Sequence, residues 1–191
     1  FTSIAADLDA SSLDTRKARK LATTWKLPEA FNELSHLTSR QDIHSRTAAL
    51  IEKVSTPGEH HARLADWPFR LYITTNYDHL LETASSGQLV SVGNRGSELH
   101  KIAGGVQDVV WHIHGGSRLS VDISQLVVTK SDYDDFYPNS NAVDRLKALS
   151  TTHRCVFFGF GFTDEDFNYV LQAVGRLSHS GRPSFAFLGY K

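Results

Sequence analysis

The sequence predicts an α/β domain in which a mostly parallel sheet is covered by helices on both faces and is preceded by a helical amino-terminal segment. Two observations support this. Residues 1–66 space their apolar side chains as helices do, whereas residues 67–191 alternate short β-branched or aromatic runs with helical patterns. The runs are apolar without strict alternation, which is typical of parallel strands buried on both faces. The length of 191 residues fits one such domain.

The helical segment contains several recognisable helix signals. Pro28 can occupy the first turn of "PEAFNELSHL". The stretch "RQDIHSRTAALIEKV" then places five side chains on one helix face: Ile43, Thr47, Leu50, Ile51 and Val54. Pro57 and Gly58 end this pattern, and a short helix is predicted to run through Trp67 until Pro68 stops it.

Five later runs are predicted as strands because they are rich in β-branched and aromatic residues. They are "FRLYIT", "VVWHIH", "LVVT", "RCVFFGF" and "SFAFLG". Helical patterns fall between them at residues 78–84, 131–137, 141–149 and 164–177. The last of these begins with a capping pair, Thr163 and Asp166. Residues 85–105 are rich in Gly and Ser and fit either a long excursion or a small hairpin subdomain.

Composition narrows the class of function. The formal net charge of -1 gives no overall field that would favour nucleic acid or an anionic membrane, and the basic run at residues 16–20 fits a solvated helix face. Cys155 is the single cysteine, which excludes an internal disulfide and fits a reducing, cytoplasmic compartment. No apolar run approaches the ~20 residues of a membrane span. Because the chain begins with Phe1 and contains no methionine, we expect it to be a fragment or a processed product.

Polar or Gly-rich residues follow three of the predicted strands, at residues 73–78, 111–116 and 158–167. In an open parallel sheet, ligands bind outside the carboxyl ends of the strands. The first of these ends groups neutral donors and acceptors, Thr74, Thr75 and Asn76, beside Asp78. A plain turn would need only Gly, Ser or Asp, so this cluster indicates that a ligand is held there.

The second end, "WHIHGG", is predicted to place His112 and His114 on one face of a strand, with Gly115 and Gly116 opening the backbone beyond them. His114 is then the more terminal and accessible of the pair, and an ordinary histidine pKa near 6.5 suits a general base. The alternative is a core histidine bonded to a backbone group. A His-x-His metal chelate is a further alternative, but no other ligands stand at supporting spacing, so no metal site is assigned.

The third end, "GFGFTDEDF", combines two glycines with a predicted helix start. Gly159 and Gly161 let the backbone approach a ligand, and the helix that begins after Thr163 offers free N–H groups to a phosphate or a ribose oxygen. The alternative is structural: the phenylalanines pack in the core, and Asp164 and Asp166 are acids favoured at a helix start.

Taken in order, these segments resemble the sirtuin-like NAD-consuming domains, particularly the bacterial branch found in antiphage defence proteins. "TTNYDHLLE" is similar to the Thr-Thr-Asn-Tyr-Asp signature of that branch, and "HIHG" to its His-Gly element. "KSDYDDFY" and "FFGFGFTDEDF" resemble its later Ser-x-x-Tyr and Gly-Phe-x-x-x-Asp elements. The resemblance covers about residues 60 to 170 and implies a Rossmann-like fold.

The resemblance implies a role for each matching position. Asn76 would lie against the nicotinamide ribose and orient the attacking water, and His114 would be the base that acts on a ribose hydroxyl or on water. Asp78 would help to bind the nicotinamide end, and Gly159, Gly161 and Thr163 would border the adenosine half. The full set of implied substrate-binding residues is Thr74, Thr75, Tyr77, Asp78, Gly115, Gly159, Gly161, Thr163 and Asp164.

The resemblance departs from the family pattern at two points. The Gly-rich loop that cradles the diphosphate is absent, since residues 1–60 look like the helices that would follow it, and Gly161 stands where Ser or Thr is common. The implied activity is cleavage of NAD to nicotinamide and ADP-ribose, with cyclic ADP-ribose as a side product. The alternatives are a module that binds NAD or ADP-ribose without turnover, and a protein deacylase, whose relatives carry a four-cysteine zinc ribbon. A homo-oligomer and a flanking sensor or regulatory domain are also implied.

Overall fold

The computed structural model describes residues 1–94, 100–102, 107–116, 123–159 and 185–187. The chain divides into two compact units, residues 1–136 and 137–191. The first unit contains the amino-terminal helices and a three-stranded parallel sheet, and the second contains a two-stranded parallel sheet. The predicted α/β, Rossmann-like class with a helical amino-terminal segment is confirmed. Organisation as a single domain stays a prediction.

Helices account for most of the first 65 residues. Their bounds are α1 (Thr2–Ala10), α2 (Arg16–Thr23), α3 (Leu27–Leu37), α4 (Arg40–Ile51) and α5 (Glu59–Ala65). Pro28 lies in the first turn of α3, as predicted. Helix α4 begins where the Ser39 side chain accepts a 3.0 Å hydrogen bond from the Asp42 backbone N–H. It ends at Ile51, so the prediction that Val54 belongs to its buried face is wrong, and Val54 is 50% exposed.

The helices share one hydrophobic core with a later segment of the chain. Ile4, Leu8, Leu34 and Ile43 are essentially inaccessible to solvent. The same cluster includes two side chains from the run 126–129, namely Leu126 and Val128. Burial of this apolar surface therefore fixes the helical segment against the stretch that follows the sheet.

The sheet of the first unit comprises β1 (Leu71–Thr74), β2 (Val90–Val92) and β3 (Val109–His112), with α6 (Leu80–Ala84) between β1 and β2. β3 is central and pairs in parallel with both neighbours. Its four residues are all buried, as the continuous apolar sequence predicted. In the described part of 85–105 the chain forms β2, whose partner is β3 and not an adjacent hairpin strand.

The prediction of a strand at "LVVT" is wrong, because residues 126–129 follow a short 3₁₀ turn and form no ladder. Their backbone groups have other partners. Val127 N–H donates to His114 O at 3.0 Å, and Val128 and Thr129 donate to the Asp132 carboxylate at 2.9 and 2.6 Å. The apolar side chains are still buried, so the sequence indicated burial correctly and conformation incorrectly.

Asp132 links this segment to the amino-terminal helices through a buried hydrogen bond to a histidine and an ion pair with an arginine. Its Oδ2 lies 2.8 Å from His44 Nε2 in α4, and Arg40 pairs with its other oxygen. Burial opposes ionisation of Asp132, but the hydrogen bonds from His44 and from the Thr129 and Val128 N–H groups outweigh it and lower its pKa to about 2.

The remaining described elements are α7 (Lys130–Asn139), α8 (Asn141–Thr152), β4 (Val156–Phe158) and β5 (Phe185–Phe187). Helix α8 begins where Ser140 Oγ accepts a 3.0 Å hydrogen bond from Ala142 N–H. β4 and β5 are parallel partners, which confirms strands in "RCVFFGF" and "SFAFLG". The helix predicted at 164–177 and its capping pair lie outside the described residues.

Candidate active site

The carboxyl ends of β1 and β3 lie side by side. Thr74 is the register partner of His112, and the Ile113 backbone N–H donates to Thr74 O at 3.0 Å just beyond the last pair. Because the two strands are parallel, the residues that follow each of them emerge at the same edge of the sheet. This arrangement brings the stretch 75–78 next to 113–116, and so joins two segments that sequence analysis assigned to one site.

Asn76 combines a fixed backbone with an exposed side chain. Its N–H donates to Thr74 Oγ1 at 3.0 Å, and its carbonyl accepts a 2.9 Å hydrogen bond from His112 Nδ1. The residue itself is exposed. Thr74 therefore supports the turn through its hydroxyl, and the Asn76 amide is presented to solvent from a backbone held on both sides.

The other polar residues of this turn already have structural partners. The Tyr77 hydroxyl donates to Val127 O at 2.6 Å, and its ring packs against the helical core. Asp78 Oδ1 accepts a 3.2 Å hydrogen bond from Leu80 N–H at the start of α6. Thr75 is half-buried. Substrate binding by Thr75, Tyr77 and Asp78 stays a prediction, and for Tyr77 and Asp78 it would be additional to a structural role.

His114 is not the accessible histidine that the sequence predicted. It lies in the turn after β3 and is 1% exposed, and His112 is equally buried. Its ring meets Tyr133 edge-on at a centroid distance of 5.2 Å and Phe136 at 6.1 Å. Burial lowers the pKa of His114 to about 3. The ring is therefore neutral at physiological pH, and the expected pKa near 6.5 is corrected.

Gly115 provides the sharp turn behind His114. Its φ is +83°, and a Cβ at this position would lie 2.9 Å from Gln125 O. Both the backbone conformation and the close approach of residue 125 require glycine. The glycine thus lets the chain reverse beside the 3₁₀ turn while His114 stays buried. Contact of Gly115 with substrate stays a prediction.

Comparison with known proteins identifies the family. Residues 70–191 match the model of the SIR2-like domain. The chain belongs to the SIR2-like domain family. It is 30% identical to the NAD(+) hydrolase ThsA of Enterococcus faecium over 135 residues, and 31% identical to the NAD(+) hydrolase ThsA of Acinetobacter baumannii over 135 residues. It is also 30% identical to the defense-associated sirtuin 2 of Bacillus subtilis over 108 residues.

These alignments cover most of this chain and a minor part of each relative. They include 68%, 67% and 55% of the chain, and 28%, 27% and 10% of the respective relatives. The SIR2-like chain therefore corresponds to about a quarter of the length of the NAD(+) hydrolases that it matches. Within the described ranges, no helix is long and apolar enough to cross a membrane.

In the second unit, the structure describes one of the predicted site residues of this SIR2-like domain. Gly159 follows β4 with a φ of +70°, and no atom of the described residues lies within 4 Å of the position that a Cβ would occupy. Its backbone is therefore in a conformation that favours glycine. Gly161, Thr163 and Asp164 lie outside the described residues, and their assignment to the adenosine half stays a prediction.

Two buried residues that contact the predicted site segments or lie beside them were not among the sequence-predicted candidates. Tyr133, from the segment "KSDYDDFY", packs on the His114 ring and is 7% exposed. Asn94 follows β2, is 5% exposed and donates from Nδ2 to Gln125 O at 3.1 Å. Its Oδ1 is buried without a hydrogen-bond partner among the described residues. The position of Asn94 directly after a short β-branched run was the available signal.

A cluster of two histidines and a glutamate lies beneath the Asn76 turn. His79, Glu82 and His112 bring their ligand atoms within 4.8 Å of one another. The His112 Nε2 to Glu82 Oε1 distance is 2.7 Å, and Ser91 also donates to this carboxylate. Burial raises the pKa of Glu82, but the hydrogen bonds from His112 and His79 outweigh that effect and lower it. The i, i+3 spacing of His79 and Glu82 was the signal in the sequence.

Proposed function

We propose that this SIR2-like chain is the catalytic part of an NAD+ hydrolase that breaks the bond between nicotinamide and ribose. Water adds its oxygen to the ribosyl carbon, nicotinamide leaves with the bonding electron pair, and one proton is released, which gives nicotinamide and ADP-ribose. The observation that carries the proposal is Asn76, an exposed amide on a backbone held by Thr74 and His112. Similarity to proteins named NAD(+) hydrolase supports it.

The chemistry of the reaction suits a neutral amide at this position. Positive charge develops on the ribosyl carbon as nicotinamide leaves, and an amide oxygen can orient water beside that carbon without forming a stable adduct. A fixed backbone reduces the entropy lost when the amide is positioned. We assign to Asn76 the orientation of the attacking water, and to the neutral His114 ring the acceptance of a hydrogen bond from a ribose hydroxyl.

The biological setting of the proposal follows from the relatives. Depletion of cytoplasmic NAD by such an activity would serve antiphage defence, in keeping with the name of the defense-associated sirtuin 2. Cyclic ADP-ribose arises if a substrate atom reaches the ribosyl carbon in place of water. A homo-oligomer and a flanking sensor or regulatory domain or partner protein are part of this proposal, which requires neither a membrane nor nucleic acid for the reaction.

A second function is favoured by the burial of His114. An imidazole that is 1% exposed and packed between aromatic rings suits a structural residue better than a proton acceptor. On this reading, the domain binds NAD or ADP-ribose as a regulatory signal and does not turn it over. Deacylation is less well supported, because the chain has one cysteine, whereas the sirtuin deacylases considered in the sequence resemblance carry a four-cysteine zinc ribbon.

The test compares nicotinamide release by the full-length protein and its Asn76→Ala variant, followed by chromatography. The matched control is Asn141→Ala, since Asn141 is also exposed but begins α8. We expect release by the parent and by the control, and at least a 100-fold lower rate in Asn76→Ala, about the effect of removing a preorganised amide. His114→Ala should also lose activity. Release by Asn76→Ala at the parent rate would exclude its assigned role, and NAD binding without release would favour the regulatory module.

A further inference from the structure

The cluster beneath the Asn76 turn is drawn from two neighbouring elements, α6 and β3. His79 is the N-cap residue immediately before α6, Glu82 lies in the first turn of that helix, and His112 ends β3. Their side chains are 6%, 11% and 1% exposed. Glu82 Oε1 lies 2.7 Å from His112 Nε2 and 3.4 Å from His79 Nδ1. Three side chains of types that commonly bind metals therefore lie close together and are shielded from solvent.

Gly116 makes room for the two imidazole rings. A Cβ at this residue would lie 3.2 Å from His79 Cε1 and Nε2, and 3.4 Å from His112 Cγ. The ring centroids of the two histidines are 4.8 Å apart. The backbone therefore approaches the histidine pair so closely that any larger residue would displace one of the rings.

The hydrogen bonds of His112 orient one ring nitrogen toward Glu82. A carbonyl oxygen can only accept, so the 2.9 Å contact with Asn76 O places the proton on Nδ1. Nε2 faces the carboxylate, to which it donates in the metal-free protein, and a bound metal ion would replace that proton. A histidine that binds a metal through one nitrogen usually donates its other N–H to a carbonyl or a carboxylate, which fixes the tautomer. His112 has this arrangement.

The hydrogen-bonding capacity of the Glu82 carboxylate is only partly satisfied. Its Oε2 is buried and has no hydrogen-bond partner among the described residues, although Oε1 is contacted by His112, His79 and Ser91. A buried carboxylate oxygen without a donor or a cation is unfavourable. A metal ion bound by the carboxylate would neutralise its negative charge, which is delocalised over both oxygens.

We propose that His79, Glu82 and His112 bind one divalent transition-metal ion of the zinc class. Two imidazoles and one carboxylate favour Zn²⁺ over Mg²⁺ or Ca²⁺, which prefer oxygen ligands. Tetrahedral zinc bonds of about 2.0–2.2 Å separate ligand atoms by about 3.3 Å. The His79 to Glu82 distance already matches this value, and the shorter His112 contact must open by several tenths of an ångström. Ser91 Oγ, 3.0 Å from His79 Nδ1, or water would complete the coordination.

The metal would have a structural effect on the neighbouring site. It would join the start of α6 to the end of β3, and through the His112 hydrogen bond it would hold the Asn76 carbonyl. The ion itself is not assigned to contact substrate. The proposal does not depend on NAD hydrolysis, because metal binding is measured without NAD. The proposal differs from the sequence-based expectation that no metal is bound. That expectation paired His112 with His114 and did not consider His79 and Glu82.

The test uses the full-length protein without a histidine tag, freed of metal by a chelator and dialysed against Zn²⁺ or Co²⁺. Metal content is measured by mass spectrometry, and the Co²⁺ form is examined for the visible absorption of a tetrahedral site. Variants are His79→Gln and Glu82→Gln. The control is His60→Gln, since His60 is exposed in α5. Unfolding temperatures are recorded with and without Zn²⁺.

We expect the parent and His60→Gln to bind one more equivalent of metal than His79→Gln and Glu82→Gln. Their Tm should rise by about 5 °C with Zn²⁺ well above its dissociation constant, and the Tm of the two cluster variants should not. If a cluster variant does not fold, the Co²⁺ spectrum of the parent still tests the proposal, because it requires no variant. Equal metal content in parent and folded variants, or a parent without tetrahedral Co²⁺ absorption, would overturn the proposal and leave a hydrogen-bonded triad.

Discussion

The Nδ1 of His112 donates a 2.9 Å hydrogen bond to the backbone carbonyl of Asn76. His112 is the last residue of the central strand, and Asn76 stands in the turn after the adjacent strand. This contact links the two segments that carry the proposed reaction. It also makes the position of the Asn76 amide depend on a buried histidine that does not itself face solvent.

Burial of neutral His114 should make the protein less stable as the pH falls. In the folded state its pKa is about 3, whereas in the unfolded chain it returns to 6.5, so the unfolded state binds more protons between these values. Stability is therefore retained above pH 6.5 and decreases by up to about 1.4 kcal/mol per pH unit below it. Urea unfolding at pH 7.5 and pH 5 measures this loss.

The His114→Gln variant removes the titrating group and should show a smaller loss between the same two pH values. His60→Gln is the control, because His60 is exposed, and its pH dependence should equal that of the parent. An unchanged slope in His114→Gln would show that the ring takes up a proton in the folded state about as readily as in the unfolded chain.

Gly115→Ala should destabilise the protein by about 2 kcal/mol or more. The new Cβ would meet Gln125 O at 2.9 Å, in addition to the cost of a left-handed backbone. Gly87→Ala is a matched control, because Gly87 has nearly the same φ, +82°, and no atom of the described part of the chain lies within 4 Å of its Cβ position. The difference between the two free energies of unfolding isolates the contact with Gln125. Equal values for both variants would contradict the close approach.

Tyr77→Phe separates structural anchoring from substrate binding. Loss of the 2.6 Å hydrogen bond to Val127 O should lower the free energy of unfolding by about 1 kcal/mol. Tyr72→Phe is the control, because its hydroxyl also bonds to backbone carbonyls, those of Leu64 and Trp67. If Tyr77 also contacts NAD, Tyr77→Phe should raise KM for NAD and Tyr72→Phe should not. Equal KM values in both variants would limit Tyr77 to anchoring.

Asp132→Asn should destabilise the protein by about 3 kcal/mol at pH 7, because it leaves His44 and the Val128 and Thr129 N–H groups without a charged acceptor. The pKa of Asp132 is lowered from 3.8 to about 2, so the stability it contributes is present above pH 3.8 and is lost as the pH falls toward 2.

The decrease in the free energy of unfolding at acid pH tests the contribution assigned to Asp132. The parent should lose about 2 kcal/mol between pH 4 and pH 2 that Asp132→Asn does not lose. Asp134→Asn, an exposed change in the same helix, should behave as the parent to within about 0.5 kcal/mol at pH 7. An Asp134→Asn variant as unstable as Asp132→Asn would show that the buried pair is not the cause.

The sequence by itself determined the class of fold and the family. Alternation of helical spacing with short β-branched runs predicted the parallel sheet, and the order of the Thr-Thr-Asn-Tyr-Asp and His-Gly elements indicated the SIR2-like domain. The periodicity and each separate motif are local signals, since each depends on residues within a few positions of one another. For the same reason, the sequence correctly predicted that Asn76 follows the end of a strand.

Only the tertiary structure decided what each candidate side chain contacts. His114 looked accessible from its place after a strand, but Tyr133 and Phe136 bury it. Residues 126–129 have the composition of a strand, yet the Asp132 carboxylate accepts hydrogen bonds from the N–H groups of Val128 and Thr129. The partners of His112 lie 30 and 36 positions away, at Glu82 and Asn76. Burial and hydrogen bonding are set by such distant contacts, and local periodicity carries no information about them.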